Sequence, residues 1–294
     1  MSIVSLFNRL PGGIAQGLIW GIMALGVYIT FRVLNESDLT VDGSFATGGA
    51  VCVVAIKAGV SPIISLLLAF IVGIVCGCIT GLIHTKLKIP AILSGILVQL
   101  ALYAVNLHIM SMSSNVAISL DKTNLLVTIR SVPKSILVCA IVSIILIALM
   151  YWFFGTEIGC AIRATGNSNH MAIAQGINID TMKVLGFAFG NGLVALSGAI
   201  LSEYQGYADI NMGRGAIVIG LAAIIIGEAI NKTIFRKGCS FYTRLAFVIV
   251  GGIIYYAAMV IILWLRIDSN DLKLFTAIIV TIFLAIPNLK KGKN

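Results

Sequence analysis

The sequence predicts an all-α polytopic membrane protein with eight or nine transmembrane helices, one of them discontinuous, and one short helix on the cytoplasmic side. Three observations carry that prediction. Of the 294 residues, 59% are hydrophobic and only 11% charged, at a mean hydropathy of +1.06; a soluble domain carries about 25% charged residues. The apolar runs reach the roughly 20 residues needed to cross a bilayer as helix, and they lack the alternation of a membrane β-barrel strand. Finally, the basic residues behind the net charge of +9 gather at the ends of alternate runs. They include Lys86 and Lys88, Arg163 and Lys183, Lys232 with Arg236, Lys237 and Arg244, and Lys290, Lys291 and Lys293. Those ends belong to the cytoplasmic face. The basicity therefore reports orientation, and no nucleic-acid partner follows from it.

Residues 12–34 form the first span, with Gly17, Gly21 and Gly26 as a small-residue side suited to close packing. No cleavable signal pattern precedes it, so it is expected to be retained. The polar stretch N-E-S-D-L-T-V-D-G-S-F follows at 35–45, then a glycine-rich apolar piece to Lys57. A carboxylate, Asp42, at that depth predicts a broken helix over 39–57 facing protein or a water-filled cavity. Residues 61–84 are a clear span whose Gly73, Gly77 and Gly81 make a small-xxx-small ridge. The next span starts at Pro90 and runs to His108, and 110–134 is a polar segment placed outside by parity.

The span 136–154 returns to the cytoplasm and delivers the longest functional signal, residues 157–183. Asn167 or Ser168 is suited to cap a helix, Asn169 to Gln175 gives about two turns, and Gly176 is a natural stop. A second helix starts near Asp180, an acid at the positive end of the helix dipole. A helix of two turns is unstable in isolation and needs a surface to dock on. The remaining spans are 184–202, 215–230, 245–265 and 274–286, with an outer connection at 203–214. The count favours nine crossings with the N-terminus outside, and residues 1–294 read as a single transmembrane domain.

Catalytic signatures do not emerge. G-E-A-I-N-K-T at 227–233 lacks the second glycine of a phosphate-binding loop. L-S-G at 196–198 lies inside an apolar span and reads as packing. The three histidines are scattered, the six cysteines show neither zinc spacing nor a disulfide framework, and no nucleophile elbow is present. No catalytic residue and no metal site is expected.

Polar groups inside spans are costly, so each is a candidate for a solute pathway or for helix–helix packing. Asp42, with Ser44 beside it, either lines a cavity or caps the helix that follows it. Gln99, Tyr103 and Asn106 recur at helical spacing and form one stripe, facing a pore or another span. Asn191 is either an interhelical hydrogen-bonding group or a cavity group. Glu203, Tyr204, Gln205 and Asp209 are placed at the outer mouth, and Glu228 is expected to pair with Lys232 one turn on.

Three motifs together resemble one family: D-L-T-V-D-G at 38–43, I-R-A-T-G-N-S-N-H-M-A-I-A-Q-G-I at 162–177 followed by N-I-D-T-M-K, and G-A-I-V-I-G-L-A-A-I-I-I-G-E-A-I at 215–230. The chain looks like the inner-membrane permease of bacterial ABC importers in the branched-chain amino acid and ribose permease superfamily. The stretch around D-L-T-V-D-G-S-F is most similar to the subgroup paired with tryptophan- or tyrosine-type binding proteins. The resemblance implies that Asn167 to Gly176 is a coupling helix set in a groove of a separate ATP-binding subunit. Arg163, Asn167, Ser168, Asn169, His170, Met171, Ala172, Gln175 and Gly176 are the residues it assigns to that contact. Here Asn169, His170 and Met171 stand where an acidic, alanine-rich stretch is more usual.

The resemblance further implies a second copy of the permease, two ATP-binding subunits that hold ATP and magnesium, an external binding lipoprotein, and a multi-pass location in the bacterial inner membrane. This chain itself would hold no cofactor. The expected cargo is a small solute, an aromatic amino acid ahead of a sugar or nucleoside. An ion-coupled secondary transporter is the rival from another class; no inverted repeat and few intramembrane ionisable residues favour it. Asp42 or Glu203 would receive the ammonium of an amino acid, and the amides of a broken helix its carboxylate.

Overall fold

The computed structural model describes residues 3–118, 125–234 and 240–264, with isolated positions at 274, 278 and 281. Ten helices follow in order: α1 (Ile3–Tyr28), continued by a π-helical turn (Ile29–Val33), α2 (Val41–Lys57), α3 (Pro62–Lys86), α4 (Ala91–Ile109), α5 (Val132–Gly155), α6 (Glu157–Asn167), α7 (Asn169–Ala174), α8 (Ile179–Gln205), α9 (Ala216–Ile234) and α10 (Phe241–Trp264). Two short strands, β1 (Asn115–Ala117) and β2 (Tyr207–Asp209), pair antiparallel on the outer side, Asn115 opposite Asp209. Among the described residues, seven helices are long and apolar enough to cross a membrane. α2, at 17 residues, is shorter than these. The span expected at 274–286 lies outside the described residues.

α1 and α8 occupy the centre. Their most apolar windows are 83% and 78% buried, against 22% to 39% for the other five spans. Burial of that extent without a lipid-facing side demands close helix contact, and glycines supply it. A Cβ built on Gly77 of α3 would lie 2.2 Å from the Phe187 carbonyl oxygen of α8, and one on Gly73 would lie 2.5 Å from that of Asn191. The ridge expected on α3 is therefore the seam with α8. The glycines of α1 divide between two neighbours: Gly17 and Gly21 meet α10 at Ile253 and Ile249, while Gly26 meets α8 at Gly190.

The discontinuity falls ahead of α2 rather than within it. Residues 41–57 form one unbroken helix, and the backbone opens at 35–40, where Asn35 takes a positive φ of 57°. Asparagine tolerates that conformation better than most residues. The inner end of the break is pinned by charge: the Lys183 ammonium pairs with Glu36, and also lies 3.2 Å from His84 Nε2.

Val33, at the end of the π turn, packs on Gly166 of α6. The C-terminal end of α1 is thus on the side of α6, α7 and the basic loops, and its N-terminal end on the opposite side. Glu228 was expected to pair with Lys232. It pairs instead with Arg32, because the α1–α9 contact brings that guanidinium to it across 196 residues.

Candidate functional site

The break before α2 carries a buried polar network. Asp38, 2% exposed, accepts a hydrogen bond from the Thr40 amide at 2.9 Å and one from Asn191 Nδ2 at 2.6 Å. Ser44 Oγ donates to Asn191 Oδ1 at 2.7 Å, and the Thr40 and Thr80 hydroxyls lie 2.8 Å apart. Asn191 therefore bridges the break and α2 from its place on α8. Both Ser44 and Asn191 are 0% exposed. Asn191 makes the interhelical hydrogen bonds that were one of its two expected roles, and Ser44, expected beside Asp42 on a solute pathway, is one of its partners; buried polar groups that are paired hold helices together.

Asp42 sits in the first turn of α2, just ahead of Ser44. Its carboxylate accepts from the Gly215 amide at 2.9 Å and the Ile217 amide at 3.0 Å. It caps a helix, as one of its two expected roles required, but the capped helix is α9 and not its own. The position is deep. Ala216 stands twelve residues before Glu228 on α9, about 18 Å along the helix axis from the Arg32–Glu228 pair. α9 thus begins part-way into the apolar layer, and Asp42 supplies the acceptor that its first amides need.

Beside Asp42 is a cavity of about 300 Å³. It is lined by Asp42, Gln99, Tyr103, Asn106, Ile210 and Arg214, among others. The polar stripe of α4 faces this space, so four of the sequence candidates converge here. Asn106 is 1% exposed, and its Oδ1 has no hydrogen-bond partner among the described residues. Arg214 was not singled out from the sequence, because it lies in a connection that reads as a solvated outer loop. The chain at 210–215 dips inward to reach Asp42, and that dip carries the guanidinium into the cavity wall.

Glu203 and Tyr204 correct the expectation of an outer mouth. Glu203 is 0% and Tyr204 1% exposed. The Glu203 carboxylate lies beside the Leu126 and Val127 backbone amides and 3.8 Å from Cys52 Sγ. Residues 126 and 127 thus lie against the end of α8 at Glu203. Gln205 and Asp209 do line an outer cavity, of about 400 Å³, together with Trp20 and Tyr256.

On the opposite side the cytoplasmic stretch forms two helices where one was expected. Thr156 caps α6, its hydroxyl accepting from the Gly159 amide at 3.4 Å. Ser168 then adopts extended backbone and accepts from the Met171 amide at 3.4 Å to start α7. α7 stops at Gly176, whose φ is +77°. Asn178 caps α8 by accepting from the Thr181 amide at 3.2 Å. Ala172 faces the protein, while Met171 and Ile173 are 64% and 59% exposed. Arg163 lies on α6, apart from α7, with its guanidinium 5.8 Å from the Phe241 ring centroid.

A buried, gap-forming core of spans, a mid-depth polar cavity and a short apolar-tipped helix on the inner face define a multi-pass transport permease of the cell membrane. Residues 10–286 match the family described as branched-chain amino acid transport system, permease component, and the chain belongs to that family. It is similar to a tyrosine transport system permease protein of Clostridioides difficile, 39% identical over 93% of this chain and 90% of the relative. An uncharacterized protein of Rickettsia prowazekii is 30% identical over 97% of this chain and 99% of its own length. An autoinducer 2 import system permease protein of Yersinia pseudotuberculosis is 28% identical over 70% of this chain and 58% of its own length. No solved structure matches the chain.

Proposed function

We propose that the chain is the membrane-spanning subunit of an ATP-driven amino acid importer, working as a homodimer with two ATP-binding subunits and an external binding lipoprotein. ATP and magnesium would be held by the ATP-binding partner, and this chain would perform no covalent chemistry. The observation that carries the reading is α7. It is a six-residue helix, too short to persist alone, fixed at both ends by a serine cap and a glycine stop, and it presents Met171 and Ile173 to the cytoplasm. Such a helix transmits motion only if a partner grips it, and it is joined to the central span α8 by a turn of four residues, 175–178.

The cavity beside Asp42 is the cargo site in this reading. Its volume, about 300 Å³, is at the lower end of small-molecule sites. A zwitterionic amino acid needs an acceptor for its ammonium and a donor for its carboxylate. Asn106 Oδ1, without a partner among the described residues, serves the first and the Arg214 guanidinium the second, while Tyr103 offers an aromatic wall. Asp42 is already engaged with α9, and Glu203 is covered, so neither is the ammonium acceptor here. The tyrosine-transport relative supports an amino acid, aromatic ahead of others. The autoinducer 2 relative supports a second reading, a cargo that is not an amino acid, which the binding protein's own ligand would separate.

The test is uptake of labelled tyrosine into proteoliposomes holding the chain, its ATP-binding subunit and the binding protein. ATP inside or outside as the topology requires, with ion gradients collapsed, is expected to sustain uptake, and Arg214→Gln to abolish it. Uptake that needs a gradient and ignores ATP would sink the importer reading.

A further inference from the structure

A second polar cavity lies on the inner side, next to the start of α7 and apart from the cargo cavity. It measures about 570 Å³ and is built between the end of α1, the C-terminal part of α6 and the first turn of α10. Arg32, Arg163 and Arg244 line it, with Tyr28, Asn35 and Asn167 between them. Three guanidinium groups from three separate elements thus share one concave wall.

Their charge is poorly compensated. Arg32 pairs with Glu228, but among the described residues neither Arg163 nor Arg244 is in an ion pair. Arg163 rests on Cys160 Sγ at 3.3 Å and over the Phe241 ring, and Arg244 lies beside the Tyr28 hydroxyl. The cavity therefore carries a surplus of about two positive charges in a form suited to planar, multidentate binding of a phosphate. Arg244 also stands in the first turn of a 24-residue helix, where the backbone dipole adds to the positive field.

The level of the cavity selects the source of the phosphate. Tyr151 and Trp152 near the end of α5 and Tyr242 at the start of α10 are 54%, 70% and 49% exposed. The Tyr151 and Tyr242 rings meet edge-on at 6.3 Å. Exposed tyrosine and tryptophan at helix ends mark the headgroup layer of a bilayer. The arginine cavity stands next to this aromatic pair, since Phe241 and Arg244 of its lining flank Tyr242, and it lies among the basic residues of the inner side. Basic pockets between spans on that side are where anionic headgroups lodge.

We infer that the cavity between α1, α6 and α10 binds the phosphate headgroup of an anionic phospholipid. Arg32, Arg163 and Arg244 are its ligands. Because α1 carries the π turn and α6 leads into α7, a bound headgroup would brace the inner ends of both.

The full chain, purified in mild detergent and exchanged into bilayer discs of mixed phosphatidylglycerol and phosphatidylcholine, would be released and weighed by native mass spectrometry. Wild type is expected to retain phosphatidylglycerol over phosphatidylcholine by about tenfold, and the Arg163→Gln/Arg244→Gln variant to fall to near parity. Size-exclusion profile and unfolding temperature report whether the variant is folded. If the double variant is not, the single Arg244→Gln variant is expected to lose most of the preference, and Arg163→Lys, which keeps charge but not the fork, to lose part of it. Parity in the wild type, or an unchanged preference in the folded variants, would overturn the inference. Displacement of the lipid by millimolar inorganic phosphate would assign the cavity to a soluble anion instead. Displacement by an acidic segment of a protein partner, without lipid preference, would assign it to that partner.

Discussion

The Asp42 carboxylate accepts a hydrogen bond from the Gly215 amide at 2.9 Å, across 173 residues of chain. With the second bond from Ile217, it ends α9 inside the apolar layer. One side chain on the second helix thereby fixes where the ninth begins, and with it the wall of the polar cavity. Replacing an N-capping side chain by alanine costs about 0.5–2 kcal/mol in water-exposed cases. Here one carboxylate serves two amides at once, so Asp42→Ala is expected to fall at the upper end, about 2 kcal/mol, read as a lowered unfolding temperature in detergent. Asp42→Asn keeps one carbonyl acceptor and should lose about half as much. Equal stability of all three proteins would show that the cap is not what holds α9 in place.

The Asn191 bridge makes a prediction about order. Asn191→Ala removes the donor to Asp38 and the acceptor for Ser44, leaving buried groups unpaired at a cost of about 1–3 kcal/mol. Asn191→Asp keeps the shape and the acceptor, but sets a second carboxyl against Asp38 at the 2.6 Å contact. Like charges at such a distance are strongly unfavourable in a dry interior. The aspartate variant, closer in shape, is therefore expected to be the less stable at neutral pH, and the gap between the two variants should narrow as pH falls and one carboxyl is protonated. Thermal unfolding at two pH values checks it; an alanine variant less stable than the aspartate one at neutral pH would contradict the network.

How far these relations were legible in the sequence depends on their range. The spans, their orientation and the α7 signals are local: a run of apolar residues, a basic loop, Ser168 before a short helix and Gly176 after it. Each works within a few residues, and the structure shows each of those helix signals in place. The small-residue ridge of α3 could be read, but not its partner, since a ridge states only that something packs closely. Long-range pairing was invisible. Glu228 has Lys232 one turn away in sequence, and the local rule chose it; tertiary packing chose Arg32. Glu203 looked like a mouth residue because the covering role of 125–127 cannot be read from a polar segment. The place of Arg214 at the cavity was hidden for the same reason. The convergence of Asp42, Gln99, Tyr103 and Asn106 was half legible: the stripe showed itself, the space beside it did not.

The α3–α8 seam tests packing by contrast. A Cβ on Gly77 would stand 2.2 Å from a backbone oxygen that belongs to the most buried helix pair, whereas a Cβ on Gly155 meets nothing within 4 Å. Gly77→Ala is expected to destabilise by about 1–3 kcal/mol, because the obstacle is backbone and cannot rotate away. Gly155→Ala, at the end of α5, should stay within about 0.5 kcal/mol of wild type. Unfolding in detergent measures both, and a tolerant Gly77 would mean that α3 and α8 are further apart than the structure shows.

The last prediction concerns what α7 does rather than how it is held. Ala172 is its buried anchor; Met171 and Ile173 are its exposed apolar tip. Serine at both tip positions, Met171→Ser with Ile173→Ser, removes apolar area from a surface that is mostly exposed, so stability should change by less than about 0.5 kcal/mol. If the tip sits in a groove of an ATP-binding subunit, each lost side chain deprives the complex of about 1.5–3 kcal/mol of burial. Co-purification with that subunit should then fall by at least about tenfold, and ATP-driven uptake with it. Ala172→Leu is the complementary variant: it disturbs the anchored side, and is expected to cost stability before it costs partner binding. A serine double variant that keeps both its partner and its uptake would show that α7 is a connection and not a coupling element. A loss of partner in the serine variant, with the unfolding temperature unchanged, is the result that only a gripped helix explains.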